Sequence, residues 1–571
     1  MSLQFIFGGS GSGKTRYLYE ALIRQSMEEP KVQYFAIVPE QFTMQTQKDI
    51  VMLHPQHGTM NIDIVSFQRL AYRIFEELSV SSLAVLDDMG KSMVLRKVAS
   101  EQKKKLGLFQ GHLNQNGFIN QLKSMLSELY QYGIRPEDLT GAIEQTENMM
   151  LKEKLKDLAV IYRGFQEDIE GRYITTEEIL DHLCRVIPKS GLIRNSIITL
   201  DGYTGFTPVQ YRLLELFLVY AKKVIVTVTV PAGVDPYKKS QIQDLFYMSR
   251  QMVCRLTDLA AANGIRKEAD LTLHGSPFPR FQDSPALGFL EHHLFRYSQS
   301  VWKEEPEQIE MLQAGNPGQE VEGIVSRIHY LVQKEQIRYR EIAVITGDMD
   351  SYRHEIVNQF GAAGIPCFLD DKRSIMENAM VEMIRALLEV VQKDFSYESV
   401  FRYLKTGLVT TEREKTDRLE NYVKALGIRG FRKWDQEWTW ECRGSKQLNM
   451  QELNAFREEI LTPLKAFGTA MREENATIQV MAEALVKCLT DLSIQEKMED
   501  YSRKFEEEGQ YSLAKEYQQV YGLVMDLLDR LVQLLGEEMV SRKEFAEILD
   551  AGFGEIQVGV IPAVVDRVVV G

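Results

Sequence analysis

Residues 8–15 read G-G-S-G-S-G-K-T. They complete the pattern G-x-x-x-x-G-K-[ST], with Gly8, Gly13, Lys14 and Thr15 at its fixed positions. An apolar run at 3–7 leads into the stretch, and helical spacing at 15–27 follows it, with Leu18, Leu22 and Ile23 on one face. Strand, glycine loop and helix in that order make a phosphate cradle. Gly8, Gly9, Gly11 and Gly13, with Ser10 and Ser12 between them, let backbone N–H groups curl toward phosphate oxygens. The helix that follows adds its positive N-terminal end. Lys14 is placed to reach the β- and γ-phosphates and Thr15 to ligate Mg²⁺. The bland alternative is a loop that keeps only a structural role.

Further along, strands are predicted at 34–38, 60–65, 196–200 and 224–230, and a helix at 67–78. Strands alternating with helices imply a parallel sheet covered on both faces. The stretch 83–190 reads as helical, without a strong strand, and is taken as an insertion. A second α/β unit is expected over 301–395, with strands at 309–312, 342–346 and 366–369 and helices at 320–333 and 352–362. Residues 396–545 form a second helical insertion, and 546–571 return to the second α/β unit with two strands around Pro562. The first α/β unit is thus split into 1–82 and 191–300. A chain of 571 residues exceeds one core, and roughly three to five packed parts are expected.

With 44% hydrophobic and 26% charged residues, the composition is that of a globular protein. The longest apolar runs, 224–230 and 558–565, are strand-length and far short of a membrane span. No basic segment precedes 3–7, so no signal peptide is expected, and the chain reads as cytoplasmic with no membrane partner. Cys184, Cys254, Cys367, Cys442 and Cys488 lie tens of residues apart with no C-x-x-C, which predicts reduced, mostly buried thiols and no zinc or iron–sulfur site among them. A net charge of −14 argues against a surface coated for phosphate but leaves room for a local nucleic-acid channel.

Hydrolysis of a bound nucleotide needs a carboxylate on Mg²⁺ and a second group to activate water. The strand at 196–200 ends in Asp201, which can hold Mg²⁺, but Gly202 follows it. Two sheet domains, each with a helical insertion, is a layout similar to that of superfamily 1 helicases. Active members of that superfamily carry Asp-Glu at this point and a glutamine two residues on; here Gly202, Tyr203 and Thr204 stand instead. They also carry a glutamine segment before the loop and a Gly-Asp-x-x-Gln sensor after the next strand. Only seven residues precede Gly8, and 224–230 runs into Pro231-Ala232-Gly233. These losses predict nucleotide binding with very slow or absent hydrolysis. The alternatives are an active P-loop ATPase, helicase or kinase, and an interaction scaffold.

Five segments in order then resemble the AddB family, the second subunits of the bacterial AddAB helicase–nucleases. They are F-G-G-S-G-S-G-K-T at 7–15, V-P-E-Q-F-T at 38–43, V-S-F-Q-R-L-A-Y-R at 65–73, L-D-G-Y-T-G-F-T-P-V-Q at 200–210 and V-I-P-A-V-V-D-R-V-V-V-G at 560–571. The resemblance implies a subunit that binds ATP with Mg²⁺ and scans single-stranded DNA for the Chi sequence. The motor would lie in a partner, AddA, as DNA double-strand ends are processed for recombination. It implies DNA-contacting residues at Gln41, Thr43, Phe67, Arg69, Tyr72 and Phe206, with Tyr72 where relatives carry Trp. Aromatic and arginine side chains suit single strands, by stacking on bases and meeting phosphates or base edges. It also implies a nuclease and a four-cysteine iron–sulfur cluster beyond Gly571, so that this sequence is a shortened form of the subunit. On the residues alone, Phe67 and Tyr72 read first as helix core and Arg69 as a solvated charge.

Other features carry less. Trp434, Trp438 and Trp440 beside Lys424, Arg429, Arg432 and Lys433 read first as a packing patch rather than a nucleic-acid surface. His292 and His293 are neighbours that point about 100° apart on a helix and do not chelate one metal. Arg353 reads as a phosphate-reaching arginine or a surface salt bridge, and the acidic run 506–508 as a solvated face.

Overall fold

The computed structural model describes every residue except 81–83, 114–115, 232, 276–277, 297, 307, 370–371, 441–448, 473–475 and 560–565. Leu83, Ala232, Cys442, Pro562 and the start of the 560–571 segment therefore lie outside the described residues. Two compact units emerge. Met1–Val85, Met125–Gly141 and Ile169–Met311 form one, and Leu86–Ser124, Ala142–Asp168 and Leu312–Gly571 the other. The stretch 83–190 is thus divided among both units.

The first unit is built on a parallel sheet ordered Ile62–Val65, Gln33–Ile37, Ser196–Leu200, Lys223–Thr229, Ser2–Gly8, Arg266–Lys267, with Leu271–Thr272 also beside Ser2–Gly8. Both faces are covered, which is why its central strands read as mostly apolar runs rather than alternating. Leu3, Phe5 and Phe7 pack into one layer with Leu213, Leu214, Phe217, Met252 and Leu256. Ile6, on the opposite face, packs with Leu18, Leu22 and Ile23 of the helix Lys14–Glu28. Local signals set the helix starts. Ser66 accepts from the Arg69 N–H at the head of Phe67–Glu77, and Thr207 forms a capping box with Gln210 before Pro208–Tyr220.

Three elements differ from the expectation. Thr43–Leu53 is a helix that buries only Thr43, Thr46 and Ile50, too few apolar positions to show a stripe. Ala84–Leu86 pairs with Tyr173–Thr175 inside the stretch expected to lack strands; each is three residues long, too short for alternation to register.

In the second unit a parallel sheet orders Ala343–Val344, Val568–Val570 and Cys367–Leu369. The helices Pro317–Gln333 and Met349–Ala362 cover it through Val321, Ile328, Ile356 and Phe360. The strand expected at 309–312 does not form. Met311 is 98% and Leu312 62% exposed, so no apolar burial or neighbouring strand rewards the extended backbone there. The two closing strands part company: Gln557–Gly559 pairs antiparallel with Lys372–Ser374, and Val568–Val570 joins the parallel sheet. The remainder is a helical body from Ala379–Gln392 to Arg542–Glu555, around a core that includes Trp434, Trp438, Leu461 and Leu527. No helix among the described residues is long and apolar enough to cross a membrane.

Candidate nucleotide and single-strand sites

The glycine loop leaves the carboxyl end of Ser2–Gly8, where open α/β sheets place their ligand crevices. Gly11 and Gly13 have φ of +77° and +87°, backbone that side-chain-bearing residues rarely adopt. Gly13 sits at the N-cap of Lys14–Glu28, so the loop hands directly to the helix's positive end. Lys14 folds back over the loop, its Nζ donating to the Gly9 carbonyl at 2.8 Å and the Gly8 carbonyl at 3.0 Å. Burial lowers the Lys14 pKa; Asp201 and then Glu291 draw it up, and Arg280 lowers it again. Thr15 is exposed on the first helical turn.

Asp201 follows Ser196–Leu200 and is 8% exposed. Its carboxylate accepts from the Tyr19 hydroxyl at 3.2 Å and from the Thr227 hydroxyl. Tyr19 also meets Thr46 at 3.1 Å, so the carboxylate is held directly by one helix and one strand, and through Tyr19 by the helix that carries Thr46. Gly202, next in line, has φ +81°. A Cβ there would meet Pro39 Cδ at 3.5 Å, an ordinary contact, so it is the backbone rather than crowding that disfavours a larger residue.

A segment from elsewhere in the chain lies on the loop. The Ser10 N–H donates to Glu291 Oε1 at 3.3 Å, and a Cβ on Gly9 or Gly11 would run into the rings of Phe278 or Phe281. Glu291 is in turn paired with Arg296 at 3.5 Å.

The residues expected to contact DNA follow the carboxyl ends of Gln33–Ile37, Ile62–Val65 and Ser196–Leu200, three adjacent strands. Phe67 is 6% exposed and packs against Phe206 with ring centroids 6.1 Å apart. Arg69 and Tyr72 lie on the outer side of the same helix, Tyr72 being 44% exposed. Gln41 is exposed on the turn Glu40–Phe42. Thr43 differs: its side chain is buried and its hydroxyl donates to the Glu40 carbonyl at 2.9 Å, which turns it away from solvent.

The rings extend beyond the expected set. Tyr203 stands 5.5 Å from Phe67 and 5.1 Å from Phe206, and Tyr211 5.6 Å from Phe206, with the Arg255 guanidinium 3.9 Å over the Tyr211 ring. Tyr203 and Tyr211 sit in the stretch 200–211, where aromatics recur, and that recurrence was the available signal. Tyr19, Thr227 and Glu291 gave none, because their roles depend on distant chain segments meeting.

Trp434 and Trp438 are core residues, 1% exposed each, with Arg457 donating to the Trp434 carbonyl; Trp440 is half-exposed. His293 Nδ1 lies 2.8 Å from Ser298 Oγ, and no metal-holding group of His, Cys, Asp or Glu occurs among the described residues. Arg353 lies 3.9 Å from Asp350, and 506–508 are all exposed. Of the described cysteines, all free, only Cys488 is buried; Cys184, Cys254 and Cys367 are partly exposed, so the expectation of mostly buried thiols is corrected.

Residues 5–291 match the family described as ADDB, N-terminal, and residues 284–546 match the UvrD-like helicase C-terminal domain. The chain is similar to one subunit of the ATP-dependent helicase/deoxyribonuclease in several bacteria. It is 40% identical to that subunit in Lachnoclostridium phytofermentans, 35% in Moorella thermoacetica and 32% in Clostridium novyi. Each alignment covers 100% of this chain and 50%, 51% and 50% of the respective relative. The chain therefore spans about half the length of the curated relatives it matches. With the parallel sheet and the UvrD-like match, the α/β fold is of the P-loop helicase type.

Proposed function

The chain belongs to the ADDB, N-terminal family, and from that premise we propose that it is the non-motor, helicase-like part of a helicase–nuclease subunit that processes DNA double-strand ends for recombinational repair. It holds ATP with Mg²⁺ on 8–15, Thr15 and Asp201, hydrolyses it little, and scans single-stranded DNA for Chi over Gln41, Phe67, Arg69, Tyr72 and Phe206. AddA is its partner and supplies the motor. A nuclease and an iron–sulfur cluster are assigned to the half of the relatives outside this chain.

The observation that carries this reading is the Asp201–Gly202 junction. A buried carboxylate is held at the edge of the phosphate cradle, while the next position has no acid and a left-handed backbone. Such a site grips phosphates and a metal but presents no base to water at that position. Two measurements with this chain test it. Calorimetry is expected to show ATP binding that Lys14→Ala weakens by about ten- to a hundredfold, the worth of a charged hydrogen bond. ATP turnover with single-stranded DNA is expected to stay at the Lys14→Ala background. Turnover of about one per second or faster, lost in Lys14→Ala, would overturn the reading in favour of an active helicase.

A further inference from the structure

Beside the Phe67–Tyr203 contact the first unit holds a cleft of about 430 Å³. Its size falls within the roughly 300–1,000 Å³ of sites that hold small organic groups. Five chain segments that are far apart in sequence line it, and its two sides differ chemically. Phe67, Ile179 and Val209, all buried, make an apolar wall. Gln68, Gln131 and Tyr203 bring polar groups to the rim.

These polar groups are uncommitted. Neither the Gln68 nor the Gln131 amide has a hydrogen-bond partner among the described residues, and the Tyr203 hydroxyl has none either. Burial raises the Tyr203 pKa, so its hydroxyl stays a donor at any physiological pH. The slot is edged by amides and a phenol, with the carboxylates of Glu40 and Glu177 also on its lining, and such a set of donors and acceptors around an apolar wall suits one kind of ligand. A nucleobase has two apolar faces and an edge of mixed donors and acceptors, and amide side chains pair with such edges in both directions. The cleft also opens where a strand would pass, since Pro39, Glu40 and Ser66 on its border adjoin Gln41 and Phe67 in the chain.

We propose that this cleft receives one unstacked nucleobase of a single strand, with Phe67 as its wall and Gln68, Gln131 and Tyr203 contacting its edge. The inference rests on the single-strand reading above and adds to it a base-holding site with three further residues. The rings of Tyr72 and Phe206 would carry neighbouring bases by stacking, whereas the cleft takes its base out of the stack and meets its edge.

Fluorescence anisotropy with this chain tests it, using short single strands of one base type and an abasic strand of the same length, which keeps the phosphates and loses every base. The readout is the ratio of the two affinities, a quantity that phosphate contacts or a structural role would not move. The combined Gln68→Ala and Gln131→Ala variant is expected to shrink that ratio about tenfold for at least one base type, in keeping with the worth of a well-made base-edge contact. Tyr203→Phe, which keeps the ring and removes only the hydroxyl, is expected to shrink it in the same direction. An unchanged ratio in both variants, while Arg69→Ala still weakens binding of every strand, overturns the cleft and leaves the single-strand reading standing. Absence of any strand binding by the unaltered chain overturns both.

Discussion

Gly202 and Lys14 concentrate the chemistry of the nucleotide site at two residues. At Gly202 the missing carboxylate and the backbone φ of +81° go together, so adding the acid does not rebuild the missing base. Gly202→Glu is expected to destabilise the chain by about 1–2 kcal/mol, the cost of forcing a side-chain-bearing residue into left-handed backbone. It is also expected to leave ATP turnover at background; denaturant unfolding and a turnover assay read the two effects. Lys14 makes a pH prediction. Its charged form grips phosphate, and burial holds its folded pKa below 10.5. The affinity for ATP should therefore fall as pH rises through that lowered value, at milder alkalinity than an ordinary lysine requires. Calorimetry across alkaline pH checks this, with Lys14→Arg expected to flatten the profile because arginine keeps its charge.

The helix Phe67–Glu77 divides its faces in a way that bears on any test of DNA contact. Phe67, Leu70, Ala71, Ile74 and Phe75 are buried, and Arg69 and Tyr72 are exposed. Phe67→Ala is a poor probe, because emptying a buried aromatic site costs about 3–5 kcal/mol of stability whatever the DNA does. Tyr72→Ala is a clean one: thermal unfolding should hardly change, while single-strand affinity should drop by the worth of one stacked base, about 1–3 kcal/mol. The helix also depends on its cap. Ser66 Oγ accepts from the Arg69 N–H at 3.3 Å, and Ser66→Ala should cost about 1 kcal/mol in denaturant unfolding.

Across the whole molecule, each unit is tied together by segments distant in the chain. In the second unit Lys97, 10% exposed at its side chain, donates to Asp168 at 2.7 Å and to Glu538 at 2.8 Å. Burial alone would lower its pKa, but the two carboxylates outweigh that and raise it. The stability this cluster provides is therefore fully present below the unfolded lysine value of 10.5 and is lost as pH rises through the higher folded value. Lys97→Ala removes a largely buried cation from Asp168 and from Glu538, the latter 40% exposed and so partly screened by water, and is expected to cost about 1–3 kcal/mol in denaturant unfolding.

The amino-acid sequence by itself determined the phosphate loop, the central strands and the absence of an acid at 202, because each depends on residues adjacent in the chain. Glycine spacing, apolar runs and a single missing carboxylate are local facts, and Ser196–Leu200 was readable to the residue. Tertiary structure decided the rest. The strand expected at 309–312 failed for want of a partner, and Val568–Val570 and Gln557–Gly559 went to different sheets. Thr43 turned inward, Glu291 came to lie on the loop, and Gln131 met Phe67 across a cleft. Pairing, burial and charge proximity are properties of neighbours in space, and a periodicity along the chain carries no record of which distant segment will become that neighbour.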